Sequence, residues 1–277
     1  MPLAPLEIGV MFWADAPPRD KIRQIKAFGV SAGQLGLAGD TDISPAAAQA
    51  WRDALAAEGF TLVTVFTAYT GESYADIPTV QRTVGFIPPA TRAEREARTL
   101  AASDFAKTAG VPSLATHVGF VPHDRSNPDY IAVRDMVRRV CDRCAQNGQT
   151  FALETGQEPA ATLMQFLADA GRPNLRINFD PANMILYGTG DPIEALEVVK
   201  SRVVSVHCKD GDWPPKDSPG ALGVEQPLGK GAVGIPRFVA KLKEIGYTGV
   251  LTIEREVHGD QQRLDILSAI ELLRSLR

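Results

Sequence analysis

The sequence predicts an α/β fold: one (β/α)8 barrel as a single domain over residues 1–277. Three observations predict it. Eight short apolar runs alternate with eight longer amphipathic stretches. The length of 277 residues suits a fold that needs about 250 in one piece. No linker rich in Gly, Ser and Pro divides the chain, and the first strand-to-helix turn, FWADAPPRD, lacks the G-x-G-x-x-G of an open doubly wound sheet.

The elements follow in order. The strand candidates are EIGVMFW (7–13), SAGQLGL (31–37), TLVTVFTAY (61–69) and SLATHVG (113–119). TFALETG (150–156), LRINFDP (175–181), VVSVHCKD (203–210) and GVLTIERE (249–256) complete the eight. All are short and rich in Val, Ile, Leu, Thr and Phe, as strands of a doubly covered parallel sheet are. The helix candidates are PRDKIRQIKAFG, SPAAAQAWRDALAAEG, TRAEREARTLAASDFAKTAG and DYIAVRDMVRRVCDRCAQNG, then EPAATLMQFLADAG, DPIEALEVVKS, GIPRFVAKLKEIGY and DQQRLDILSAIELLRSLR. Several stop on a glycine, and in the second Ser44 stands as N-cap with Pro45 in the first turn. Two loops after strands, 70–90 and 211–234, are long enough to expect binding or lid segments.

Composition narrows the function. A formal charge of −4 gives no electrostatic reason to expect nucleic acid or an anionic membrane as partner. No apolar run reaches the ~18 residues of a membrane span, and MPLAPLEIGV lacks the pattern of a signal peptide, so a cytoplasmic protein is expected. Three cysteines argue against a disulfide framework. Cys141 and Cys144 match C-x-x-C, but helical periodicity places both on a helix and no second pair follows. The basic residues Arg134, Arg138, Arg139 and Arg143 have helical spacing and read as a solvated face.

The chemistry gathers where strands end, since in a barrel those ends share one site. Strand five ends at Glu154, strand six at Asp180, strand seven at His207 and strand eight at Glu254. Singly, each has an ordinary structural explanation. Together, three converging carboxylates would repel one another, and a divalent cation removes that repulsion. One imidazole with carboxylates suits Mn²⁺, Mg²⁺, Co²⁺ or Zn²⁺.

The segments ALET, NFDPAN, VHCKD and TIERE, with LGKGAVGIPRF and IGYTGVLTIERE, resemble the xylose isomerase-like sugar isomerase and epimerase superfamily, and within it the tagatose and allulose 3-epimerase branch. The resemblance implies that Glu154, Asp180, His207 and Glu254 bind one divalent metal, Mn²⁺ first among the candidates. It implies that Glu154 and Glu254 act as the catalytic pair, one removing a proton next to a ketone and the other returning one to the opposite face. It implies a keto sugar or keto polyol as small-molecule carbohydrate substrate, and a homodimer or homotetramer. The alternative within the superfamily is a lyase or dehydratase that begins with the same proton abstraction and then eliminates a β-oxygen from a 3-keto-glycoside or inosose. Asn183 departs from the ketose epimerases, which carry a histidine three residues after the aspartate. An amide can hydrogen-bond a substrate oxygen but cannot carry positive charge, which favours the alternative or an altered ketose.

Further substrate-binding candidates are His117, at the end of strand four, Glu158, four residues after Glu154, Lys209, two residues after His207, and Trp13, at the end of strand one. Lys230 is a second cation in the strand-seven loop. The glycines of LGKGAVG lie where barrel phosphate sites lie, but no basic cluster follows, so an unphosphorylated substrate is expected. A zinc nuclease of the endonuclease IV-like branch would need more metal ligands than this chain's four histidines and acidic balance offer. A non-catalytic carbohydrate-binding barrel would not need four ligand residues at strand ends.

Overall fold

In the computed structural model, which describes residues 5–277, eight parallel strands close in the order β1-β10-β7-β6-β5-β4-β3-β2. Along the chain the elements are β1 (Ile8–Trp13), α1 (Pro18–Lys26), β2 (Ala32–Leu37), α2 (Pro45–Glu58), β3 (Thr61–Thr67), α3 (Ile77–Thr83) and α4 (Arg92–Ala109). They continue with β4 (Ser113–Thr116), α5 (Pro128–Gln146), β5 (Thr150–Glu154), α6 (Ala160–Ala170), β6 (Leu175–Phe179), α7 (Pro181–Tyr187) and α8 (Pro192–Val199). The last are β7 (Val203–Cys208), β8 (Asp210–Asp212), β9 (Val224–Gln226), α9 (Ile235–Glu244), β10 (Leu251–Ile253) and α10 (Asp260–Leu276).

All eight expected strands form the barrel, and β10 is its eighth stave. Local chemistry sets the boundaries. The Ser44 hydroxyl accepts the Ala47 N–H at 3.2 Å, and Gly59 ends α2 at φ +59°, a conformation open to glycine. Four short elements were not expected. The loop after β3 contains α3, capped by the Asp76 carboxylate on Thr79 N–H. The segment after Asp180 turns at once into α7. The loop after β7 folds into the antiparallel pair β8–β9. Each is too short to carry its own periodicity. The two long loops meet where Ile77 N–H donates to the Gly220 carbonyl at 2.9 Å.

The arginines of α5 do more than face solvent. Arg139 grips Glu96 with two bonds of 2.5 and 2.7 Å, and Arg143 grips Asp104 with two of 2.9 and 2.6 Å, so α5 is tied to α4 by planar, bidentate pairs. Arg138 donates to the last carbonyls of α6. Cys141 and Cys144 are both buried and free on α5. Burial pushes the Cys144 thiol up to about 11, and such a thiol is inert. No helix among the described residues is long and apolar enough to cross a membrane.

Inside the barrel, side chains alternate between apolar and polar. Met11, Phe66, Ala115 and Ala152 form an apolar cluster. Gln34, Asn178, Ser205 and Thr252 are buried beside it. This polar layer lies directly beneath the strand ends and positions what stands there.

Candidate metal centre

Glu154, Asp180, His207 and Glu254 come together at the strand ends. One ligand atom from each lies within 4.8 Å of every other. His207 Nδ1 stands 2.7 Å from Glu154 Oε1, 3.1 Å from Glu254 Oε2 and 3.5 Å from Asp180 Oδ2. Despite this proximity, Glu154 Oε1, Asp180 Oδ2 and His207 Nδ1 are buried without a hydrogen-bond partner. Buried polar atoms are rarely left so. These atoms share one small space, and a divalent cation among them would satisfy all of them. The donor set of one nitrogen and three carboxylates therefore fits the implied metal.

The surroundings fix each ligand. His207 Nε2 lies 3.2 Å from Gln34 Oε1 and 3.2 Å from Asn178 Nδ2. With the ring proton on Nε2, donated to Gln34, Nδ1 keeps its lone pair for a ligand role. Gln34 is itself held by Asn178 and Thr252. The two oxygens of Asp180 divide their work. Oδ1 caps α7 by accepting Asn183 N–H at 2.9 Å, and Oδ2 faces the cluster. Glu154 does the same: Oε2 lies 2.9 Å from His117 Nε2, and Oε1 faces the cluster.

Electrostatics follow from this crowding. Burial raises the Glu254 carboxyl, but the His207 and Lys209 cations outweigh it and hold it well below the usual carboxylate range. Burial likewise raises Glu154, and His117 and His207 pull it down. For Asp180, burial wins and the carboxyl lies above its ordinary value. Burial alone would lower His207, yet Glu254 and Glu154 raise it well above the ordinary imidazole range.

The other predicted residues divide. His117 borders the cavity beside Glu154, its ring edge-on to Phe66 at 5.4 Å. Lys209 is 2% exposed, and its Nζ lies 3.2 Å from Glu254, 2.9 Å from Glu256 and 3.4 Å from Asn183 Oδ1. Asn183 and Trp13 both line the cavity. Glu158 does not join them: it is buried, 3.2 Å from His123, and burial pushes its carboxyl up to about 8. Lys230 is exposed and stands outside the cavity lining. Arg255, beside Glu254, pairs instead with Asp265 and Glu225.

The glycine-rich loop does cradle an anion, but one of the chain's own. The buried Asp210 carboxylate accepts from the backbone N–H of Gly211, Gly229, Gly231 and Val233 at 2.9–3.1 Å. Those four amides are thereby committed to the chain's own carboxylate.

Sequence reasoning missed Gln34, Asn178 and Glu256. The first two carried a signal: polar residues inside the strand runs AGQLGL and LRINF, with Gln34 in register with inward-facing Met11. Glu256 carried none, because an exposed acid in a loop is unremarkable until Lys209 is seen beside it. Above the cluster opens a cavity of about 970 Å³, bordered by Glu154, Glu254, His117, Asn183 and Trp13.

The sequence profile of the family described as xylose isomerase-like TIM barrel matches residues 22–276. The chain belongs to that family. Its fold is similar to that of a xylose isomerase domain protein from Planctomyces limnophilus, at 45% identity and a TM-score of 0.94, over 99% of this chain and 98% of that one. At the level of fold alone it is similar to D-psicose 3-epimerase from Clostridium cellulolyticum H10, solved with D-tagatose, at 14% identity and a TM-score of 0.73, over 98% and 99% of the two chains. It is likewise similar to 3-keto-D-glucoside 4-epimerase from E. coli, at 14% identity and a TM-score of 0.72, over 98% and 99%. No curated protein matches the chain in sequence.

Proposed function

We propose that the protein is a divalent-metal-dependent isomerase or epimerase of a keto sugar or keto polyol. One observation carries the proposal: four ligand atoms lie within 4.8 Å of one another, three of them buried and unpartnered, and Glu154 and Glu254 of that group border the cavity. A bound cation, Mn²⁺ or a similar hard ion, supplies the Lewis acidity that stabilises negative charge on substrate oxygens.

The chain's own residues do the rest. Glu154 and Glu254 approach from β5 and β10, strands separated in the barrel by β6 and β7, so they address a bound sugar from different sides. One carboxylate takes the proton from the carbon next to the ketone, and the C–H electron pair moves toward the carbonyl to give an enediolate. The second residue, protonated in the substrate complex, delivers its proton to the opposite face, which inverts the centre, and exchange with solvent resets both carboxyls. His117 holds Glu154 through Oε2 and leaves its other oxygen free. Lys209, buried behind the cavity wall, holds Glu254 and the Asn183 amide in place. Phe66, Trp13 and Tyr187 wall the cavity and pack against the less polar faces of a sugar.

The test is proton exchange in D₂O with chelated and Mn²⁺-restored protein, on ketohexoses, inososes and 3-keto-glycosides, with mass spectrometry as readout. Metal-dependent deuterium uptake that falls at least about 10²-fold in Glu154→Gln and in Glu254→Gln is the expected result. Uptake that is indifferent to metal, or that survives both substitutions, overturns the proposal. Product analysis then separates epimers from elimination products, the second reading that Asn183 favours.

A further inference from the structure

Three of the four ligand residues are pinned by the barrel itself. Glu154 is the last residue of β5 and pairs in register with Asn178. His207 lies within β7, in register with Thr252. Asp180 is bracketed by the Thr155 hydroxyl, which accepts its N–H at 2.7 Å and donates to its carbonyl at 2.9 Å. Glu254 is held differently. β10 is three residues long and ends at Ile253. One more backbone bond, from Glu254 N–H to the Cys208 carbonyl at 3.2 Å, closes the contact with β7. From Arg255 to His258 the chain makes no backbone–backbone hydrogen bond among the described residues. α10 holds one side of this stretch, through Gln262 on the Arg255 carbonyl at 2.7 Å and Asp265 on the Arg255 guanidinium at 2.8 Å. The other side is held from the loop after β7. Glu225, the middle residue of β9, takes the Glu256 N–H between its two oxygens at 3.1 and 3.2 Å. The same carboxylate lies 3.0 Å from the Arg255 guanidinium.

We propose that Glu225 is a positioning residue for Glu254: from the β8–β9 hairpin it sets where the fourth ligand carboxylate stands. The proposal rests on the metal-centre reading and adds what fixes that ligand. A ligand oxygen must sit within about 0.2 Å of its coordination distance. A turn without backbone bonds of its own does not supply that precision. Lys209 grips the carboxylates of Glu254 and Glu256, but a compact charge on a flexible stem fixes direction poorly. Glu225 acts instead on the backbone, two residues from the ligand, through an ionised acceptor, which makes a stronger hydrogen bond than a neutral one. Pairing with Arg255 alone does not account for Glu225, because Asp265 already meets that guanidinium. Nor is the place a favourable one for an acid. Glu225, Glu254 and Glu256 all border the cavity, and like charges gathered there repel one another. What distinguishes Glu225 is the Glu256 N–H, a donor that no other group of the described residues takes.

The test reads the metal rather than turnover. Mn²⁺ affinity is measured by chelator competition, and the bound ion by electron paramagnetic resonance. Glu225→Ala removes the acceptor, and Glu225→Asp keeps the charge but withdraws it by one carbon. Both are expected to weaken Mn²⁺ binding at least about tenfold and to alter its spectrum. Should Glu225→Ala fail to fold, Glu225→Asp carries the comparison. Glu225→Gln still offers an oxygen to the Glu256 N–H, and is expected to stay near the parent in both readings. So is Gln226→Ala, which loosens the hairpin at the neighbouring residue by losing its bond to Asp212. Parent-like affinity and spectrum in either of the first two variants overturn the proposal, and so does an equal loss in either of the last two. A parent that binds no Mn²⁺ removes the metal centre and this proposal together. Absence of deuterium exchange in D₂O, with the Glu225 pattern intact, removes only the keto-sugar chemistry.

Discussion

Lys209 is followed directly by Asp210, and the two residues serve buried carboxylates of opposite character. On the Lys209 side, Glu154 and Asp180 each leave an oxygen with no hydrogen bond, and Glu254 is matched by cations alone. On the Asp210 side, one carboxylate accepts four backbone N–H groups and both of its oxygens are used. Burial is nearly complete in both places. The difference is in what remains unsatisfied. A carboxylate whose hydrogen bonds all close within the fold holds structure, and one that keeps an oxygen free in a buried site is arranged for something that arrives from outside.

That contrast can be broken most forcefully at Asp210. Asp210→Ala leaves four amides around a void, and each buried unsatisfied group costs about 1–3 kcal/mol. A loss of roughly 3 kcal/mol or more in unfolding free energy is expected, equal in chelator and in excess Mn²⁺, by urea denaturation. A loss that appears only with metal would erase the distinction drawn between the two sites. Next in size is Gln34→Leu, which removes the acceptor behind His207 without touching a ligand. Metal affinity is expected to fall about 10–100-fold, measured by competition with a chromophoric chelator, beside a metal-free stability loss of about 1–3 kcal/mol from the buried partners that Gln34 leaves unpaired. Unchanged affinity would show that Nδ1 does not depend on the Gln34 contact.

Glu158 sharpens the comparison as a third buried carboxyl, with neither a cation cluster nor a ring of amides. Its value of about 8 in the fold lies above the unfolded value of about 4.3. The native state therefore binds the extra proton between these values, and stability falls as pH rises through that window. Glu158→Gln should remove the fall, gaining on the order of 1–2 kcal/mol over the parent between pH 5 and 8, since the exposed His123 beside it lets solvent screen part of the effect. Parallel pH profiles for parent and variant would contradict this.

Much of the fold was legible because strands and long helices announce themselves by period and by glycine stops. The short elements α3, α7 and β8–β9 were not, since three to seven residues hold too few turns or alternations to show a pattern. At the site, Glu154, Asp180, His207 and Glu254 could be read from their places at successive strand ends, because barrel topology turns sequence position into spatial convergence. The partners of those residues were harder. Lys209 was placed by alternation along β7, but its pairing with Glu256 depends on where a loop returns, and the removal of Glu158 toward His123 depends on the path of the chain after β5. The anion in the glycine-rich loop was invisible for the same reason: Asp210 reads as one more loop acid until the chain from 229 to 233 closes over it.

Gly36 stands one strand away from Trp13 and bears no side chain, and a Cβ there would lie 2.5 Å from the indole. The space that Gly36 leaves empty is therefore the mould in which Trp13 is cast. Any larger residue at 36 would displace the indole from this position in the cavity wall. Selectivity in this barrel can thus be inherited, or re-written, through an atom that is missing.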